Sequence, residues 1–187
     1  MIKERVHDWG GIRPNRHRPT HDPDASATGD REPVARRVVR AQANMWWLGV
    51  HPGAGETTLA ELTAGTRAAD HAWPLRSVSG ASHDVTLVTR LTEDGVAAAL
   101  AAAAEARSDE LTMHVRLHGV VLIPARRESR GAEIRLLERQ LGKVVPRLWV
   151  LPWMEGWQHG QRHFDGKAPA AYRHLCRDLA IDLRSAA

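Results

Sequence analysis

The chain has 187 residues, 43% of them hydrophobic, and a formal charge of +4 from 26 Lys and Arg against 22 Asp and Glu, which describes one globular domain with a core and leaves little room for two. Its one cysteine, Cys176, excludes an internal disulfide framework, and there is neither a signal-peptide stretch in MIKERVHDWG nor a run near the roughly 18 apolar residues of a bilayer span. A cytoplasmic protein without a membrane span is expected, and its charge favours nucleic acid as a partner only if the arginines gather on one face.

Met1 to Arg40 holds many Arg, His, Asp, Pro and Gly and few large aliphatics, with breakers at Gly10-Gly11, Pro14, Pro19, Pro23 and Pro33. Such a segment buries too little apolar surface to offset its ordering entropy. Residues 1–42 therefore read as a disordered basic, proline-rich tail with one short helix at Val34–Arg40, and residues 43–187 as the folded domain. From Met45 the texture changes. The run Met45-Trp46-Trp47-Leu48-Gly49-Val50 ends in a Pro/Gly loop, as a buried parallel strand does. Thr57 to Leu62 then predicts a helix, with Leu59 and Leu62 on one side and Gly65 as its stop.

Arg67 to Ser82 is irregular, with a short strand expected around Ala72–Val78. Asp84 to Thr89 is a clear strand, followed by Thr92 as helix N-cap, Glu93 and Asp94 in an acidic first turn, and a helix to about Arg107. The unit repeats in kind: a strand at Val115–Ile123, a helix at Arg130–Leu141, a strand at Arg147–Leu151 and a last helix from Ala170 to Leu183. Alternating strands and helices predict a three-layer α/β/α domain around a mainly parallel sheet.

The chemistry concentrates between the first strand and its helix. In Gly49-Val50-His51-Pro52-Gly53-Ala54-Gly55-Glu56-Thr57-Thr58, successive backbone N–H groups and the helix dipole suit a phosphate, and the glycines let the backbone approach it. Against the Walker pattern GxxxxGK[ST], with its last glycine on Gly55, Val50 stands at the first glycine, Glu56 at the lysine and Thr57 at the magnesium-binding hydroxyl. The alternative is an ordinary glycine-rich turn.

At these residues the chain resembles the ParA/MinD-like P-loop ATPases, and more closely a group of uncharacterised bacterial proteins with a shortened domain of that kind. The resemblance runs from about Trp46 to Trp157. In the pattern KGGxGKTT the signature lysine falls on His51, the glycines on Pro52, Gly53 and Gly55, the catalytic lysine on Glu56 and the threonines on Thr57 and Thr58; both lysines are absent. DVTLVTRLTEDG, VRLHGVVLIPAR and VVPRLWVLPW look like the later strands of that class, the last ending in a proline near the adenine pocket. The resemblance implies a P-loop NTPase-like fold binding ATP or another nucleotide with magnesium. His51, Gly53, Ala54, Gly55, Glu56, Thr57 and Thr58 would hold phosphate, with Thr57 on the magnesium.

The departures point away from hydrolysis. No apolar run ends in a Walker B aspartate, and Asp84 opens a strand instead of closing one. A unit charge pair near 4 Å is worth about 4 kcal/mol at an effective dielectric of 20, so a carboxylate in place of the lysine disfavours ordinary ATP hydrolysis. Pro152, Trp153, Trp157 and Arg126, with Arg127, are candidate base or partner contacts; the plainer expectation is that Trp153 and Trp157 cover the sheet end and anchor the last helix. His159, His163, His174 and Cys176 match no strong zinc spacing and no zinc is expected, Cys176 reading as a core residue. Three functions compete. The leading one is a non-hydrolysing nucleotide- or phosphate-binding domain that regulates or scaffolds a protein partner, as a relative in a plasmid or mobile element would. The others are an interaction module without nucleotide, and an unorthodox ATPase whose lysine comes from Lys143 or a partner subunit. A homodimer is compatible with the first.

Overall fold

The structure, a computed structural model, describes residues 32–77, 81–126, 131–160, 163–164 and 166–184. Residues 1–31 of the expected tail, and Arg127, lie outside them. In chain order the elements are β1 (Ala35–Val39), β2 (Met45–Gly49), α1 (Glu56–Leu62), β3 (Thr66–Ala68), β4 (Ala72–Arg76) and β5 (His83–Leu91). They continue with α2 (Glu93–Glu105), α3 (Asp109–Thr112), β6 (Val115–Pro124), α4 (Ala132–Val144), β7 (Leu148–Val150), a 3-10 turn (Glu155–His159) and α5 (Ala170–Leu179).

Five strands form one sheet in the order β3-β2-β5-β6-β7, parallel at every pairing. Strand side chains alternate between the two faces, and the two faces build two cores. Trp46, Leu48, Val85, Leu87, Val120 and Leu122 pack with α2, with α4 and with Trp73 of β4. Met45, Trp47, Val88, Val121 and Trp149 pack with Leu59 of α1 and with Tyr172, Leu175, Cys176 and Leu179 of α5. The expected three-layer α/β/α architecture is therefore present.

Local chemistry explains the boundaries. Thr92 caps α2 by accepting the Gly95 N–H, and the small side chains of Ala99, Ala102 and Ala103 let that helix sit close on the sheet. Trp47 is wholly buried because its indole N–H finds partners, the Thr63 and Thr66 hydroxyls at 3.1 Å each. An aromatic of this size then contributes its full apolar burial, about 1.5–3 kcal/mol for a large side chain. β6 carries one residue more than β5 opposite Val85–Thr86, a bulge at which His118 is released to bond Asp84 at 2.9 Å. α5 stops at Leu179, short of the expected Leu183. Ala180 turns to φ 52 and the Ile181 N–H closes back on the Cys176 carbonyl, the usual left-handed helix stop.

The upstream segment differs from expectation. The helix expected at Val34–Arg40 is strand β1, parallel to β4 from Ala35↔Ala72 to Val39↔Arg76, so the fold includes residues before position 43. Four of the five β1 residues are exposed, and their side chains carry no apolar period to read. The strand is set by backbone pairing and by Glu105 of α2, whose carboxylate accepts the Val34 N–H at 3.1 and 3.2 Å and the Trp73 indole N–H at 3.1 Å. Arg37 adds a bond to the Ala69 carbonyl and another to Asp70, each at 3.0 Å.

Candidate functional site

Parallel strands deliver their carboxyl ends to one edge, and ligands of α/β proteins bind outside that edge. Here the turn from His51 to Gly55 follows β2. Gly53 has φ 74 and Gly55 φ 108, conformations that glycine adopts freely. A Cβ at Gly55 would also lie 2.7 Å from Ile123 Cδ1, so that side chain would have to shift. Ala54 is wholly buried and its N–H bonds the His51 carbonyl at 3.2 Å, so the turn is pinned from inside.

In front of this turn lies a cavity of about 270 Å³. The turn residues Gly53, Ala54 and Gly55, with Glu56, Thr57 and Thr58 at the start of α1, form one wall. His71 and Arg90 stand on other sides, and Ile123, Trp153, Met154 and Trp157 supply an apolar wall. Thr57 is exposed and Thr58 buried. Trp157 is itself held edge-on by Tyr172 of α5 at 5.3 Å, with Phe164 tilted against it at 5.9 Å. The two indoles thus line the cavity while Trp157 anchors the last helix.

No protein-family model, curated protein or solved structure matches this chain. What the cavity does must be argued from its own side chains.

Glu56 does not present its charge to the turn as a lysine there would. Its carboxylate is turned into the sheet edge, 4% exposed, and accepts the Gly49 N–H at 2.5 Å. The Gly49 carbonyl meets His71 Nδ1 at 2.8 Å, and the same nitrogen lies 3.3 Å from Glu56 Oε1. β3 pairs with β2 only as far as Ala68 opposite Trp47, the Ala69 N–H making the last rung to the Trp47 carbonyl. Beyond it the two side chains serve the N–H and C=O of Gly49 that a longer neighbour would have served, as buried backbone groups demand. Burial raises the Glu56 pKa above its ordinary value, opposed by the Gly49 hydrogen bond and by His71. The expected repulsion of a ligand phosphate by Glu56 is correspondingly reduced.

His51 also serves the frame. Its Nδ1 lies 2.9 Å from the Pro52 carbonyl, and its Nε2 accepts the Arg90 N–H at 3.2 Å and faces the Thr89 hydroxyl at 3.1 Å. Contacts at both ring nitrogens fix the orientation of the imidazole. His51 is not among the cavity's lining residues, and neither are Pro152 or Arg126. Lys143 is placed elsewhere altogether. It lines a separate groove of about 730 Å³ with Arg107 and Arg116, at the amino ends of the strands, and so cannot replace the missing lysine within one molecule. Asp84 belongs to that far end too, accepting from Arg116 at 2.6 and 2.9 Å and facing His118. Cys176 lies in the second core, where burial pushes its thiol up to about 11; the His159 side chain lies outside the described residues.

Sequence reading missed His71 and Arg90. Arg90 stands near the end of β5, where a polar residue after an apolar run faces the ligand edge, the signal that had singled out Arg126. His71 had no local signal, being brought in by the β3–β4 turn, where Asp70 and His71 adopt φ 50 and 56. For a divalent cation the lining offers one carboxylate, Glu56, already bonded into the Gly49 edge, and the hydroxyls of Thr57 and Thr58. Magnesium sites use one or two free carboxylates besides substrate phosphates, so these residues fit an anion better than a protein-held metal.

Proposed function

We propose that this domain is a degenerate, ParA/MinD-like P-loop module that binds a nucleotide or other phosphate-bearing ligand without hydrolysing it, and thereby regulates or scaffolds a protein partner. The observation that carries the reading is the cavity at the carboxyl edge of a parallel sheet, enclosed by a glycine turn, one arginine and two indoles. A concave site with an apolar wall and a few convergent polar groups is the ordinary form of a small-molecule site. Phosphate suits the guanidinium and the close approach that Gly53 and Gly55 allow, and a ring suits the indoles.

Against hydrolysis stand the carboxyl at position 56 and the location of Asp84, paired with Arg116 at the opposite end of β5. Holding a phosphate needs only donors, whereas transferring it requires a positioned water and stabilisation of developing charge. The test is equilibrium binding of ATP, ADP and GTP to the full chain, read by tryptophan fluorescence from Trp153 and Trp157, with phosphate release assayed in parallel. Saturable binding without turnover is expected. A well-folded protein that binds none of the three overturns the reading.

A further inference from the structure

Resting on that reading, we propose that Arg90 is the charge anchor of the site, and that it lets the cavity take a phosphate-bearing ligand without a divalent cation.

Three observations converge on this residue. Arg90 lines the cavity together with the 53–58 segment. Its backbone is fixed at both ends of the peptide neighbourhood, with its N–H given to His51 Nε2 and its carbonyl accepting the Thr92 N–H at 2.9 Å. Its guanidinium is half-buried, and among the described residues its one side-chain hydrogen bond is a long one, 3.4 Å, from Nη1 to the Pro124 carbonyl. No carboxylate pairs with it among the described residues.

An arginine in that condition has given up solvent without gaining a counter-charge, an unfavourable state that an incoming anion relieves. Burial accordingly lowers its pKa, with the nearby Tyr172 hydroxyl opposing, yet guanidinium stays protonated across the working range. Its five donors in a planar fork match two oxygens of a phosphate, and one carbonyl bond leaves most of them available. The other lining groups point the same way. With the Glu56 carboxyl committed to Gly49 and His71, the cavity has a cation to meet the ligand's charge and no free carboxylate to recruit a metal. A volume near 270 Å³ lies just below the roughly 300–1,000 Å³ of common ligand pockets. That suits a small phosphate ester or a diphosphate group more than a whole metal–triphosphate complex. His51 becomes a positioning residue for Arg90 in place of a phosphate ligand.

The experiment titrates the full chain with pyrophosphate and with ATP by calorimetry, in EDTA and in excess magnesium, for wild type, Arg90→Gln, Arg90→Lys and Lys143→Gln. Near-ultraviolet circular dichroism checks that each variant is folded. Wild type is expected to bind within about threefold in EDTA and in magnesium. Removing one member of a desolvated charge pair costs binding by about 30-fold or more, so Arg90→Gln should lose at least that. Arg90→Lys should recover part of it, keeping the charge but not the fork, and Lys143→Gln should bind as wild type. Binding that requires magnesium overturns the metal-independent site, and an unchanged Arg90→Gln overturns the anchor, while both leave the phosphate-site reading standing. Loss in Lys143→Gln equal to that in Arg90→Gln overturns the location. Absence of binding in every folded protein removes the phosphate site together with this inference.

Discussion

Replacing Glu56 with lysine restores the Walker pattern on paper, and the structure predicts that it damages the protein. The carboxylate accepts the Gly49 N–H at 2.5 Å in a place only 4% exposed. Truncation to alanine removes a charge-assisted hydrogen bond worth about 1.5–3 kcal/mol and leaves a buried donor bare. Lysine sets a second donor against that donor and puts an ammonium beside His71, in the range of about 3–5 kcal/mol found when a buried charge is left uncompensated. For a domain of this size each kcal/mol moves Tm by roughly 2–4 °C. Alanine should thus lower Tm by roughly 3–12 °C and lysine by roughly 6–20 °C, while glutamine, which keeps an acceptor oxygen, should stay near wild type. Differential scanning calorimetry of the three variants at neutral pH measures this. A lysine variant that melts with wild type and binds pyrophosphate more tightly would show that residue 56 faces the turn after all, and the edge-sealing account of Glu56 would fall.

Further outcomes follow from the same contacts. Because burial raises the Glu56 pKa above 4.5, its contribution to stability is full below that value and is lost as pH rises through the higher folded value; the Tm of Glu56→Gln relative to wild type should climb as pH is raised from below 4.5, and a flat difference refutes it. Burial works against ionisation of Asp84, but the bonds from Arg116 and His118 outweigh it and lower its pKa below 3.8. Asp84→Asn should cost about 1 kcal/mol at neutral pH, after discounting for the exposed Arg116, and progressively less as acid removes the same charge from wild type, as urea melts at several pH values will show. The Cys176 thiol, pushed up to about 11, should react slowly with a disulfide reagent at pH 8 and fast in denaturant, and prompt labelling of the native protein would contradict its place in the core. Glu105→Ala should abolish hydrogen-exchange protection of β1 before that of β2 and β5, since it removes the carboxylate shared by Val34 and Trp73.

The parts of this fold that sequence reveals are those whose side chains report burial. β2, β5 and β6 are apolar runs because both faces of a parallel sheet are covered, and Thr92 marks the start of α2 by its own hydrogen bond. β1 was illegible because Arg36 and Arg37 face solvent and ion partners, Glu110 and Asp70, while the strand is made by backbone pairing with residues 37 positions away. The site divides similarly. Its turn is written locally in Gly53 and Gly55, but Arg90 and His71 arrive through tertiary packing, and Glu56 reads as a damaged catalytic position until its partner, the Gly49 N–H, is seen.

A rung of backbone ladder tolerates nearly any side chain, because the bonds belong to atoms that every residue shares. At Gly49 that indifference ends: the N–H and C=O are answered by one glutamate and one histidine, and a Cβ added there would press within 3.0 Å of His71 and 3.1 Å of Glu56. Three positions distant in the chain are thereby tied into one unit of inheritance. Glu56 and His71 also line the cavity, so variation between forms of this domain should be concerted at 49, 56 and 71 even where the rest of the turn drifts.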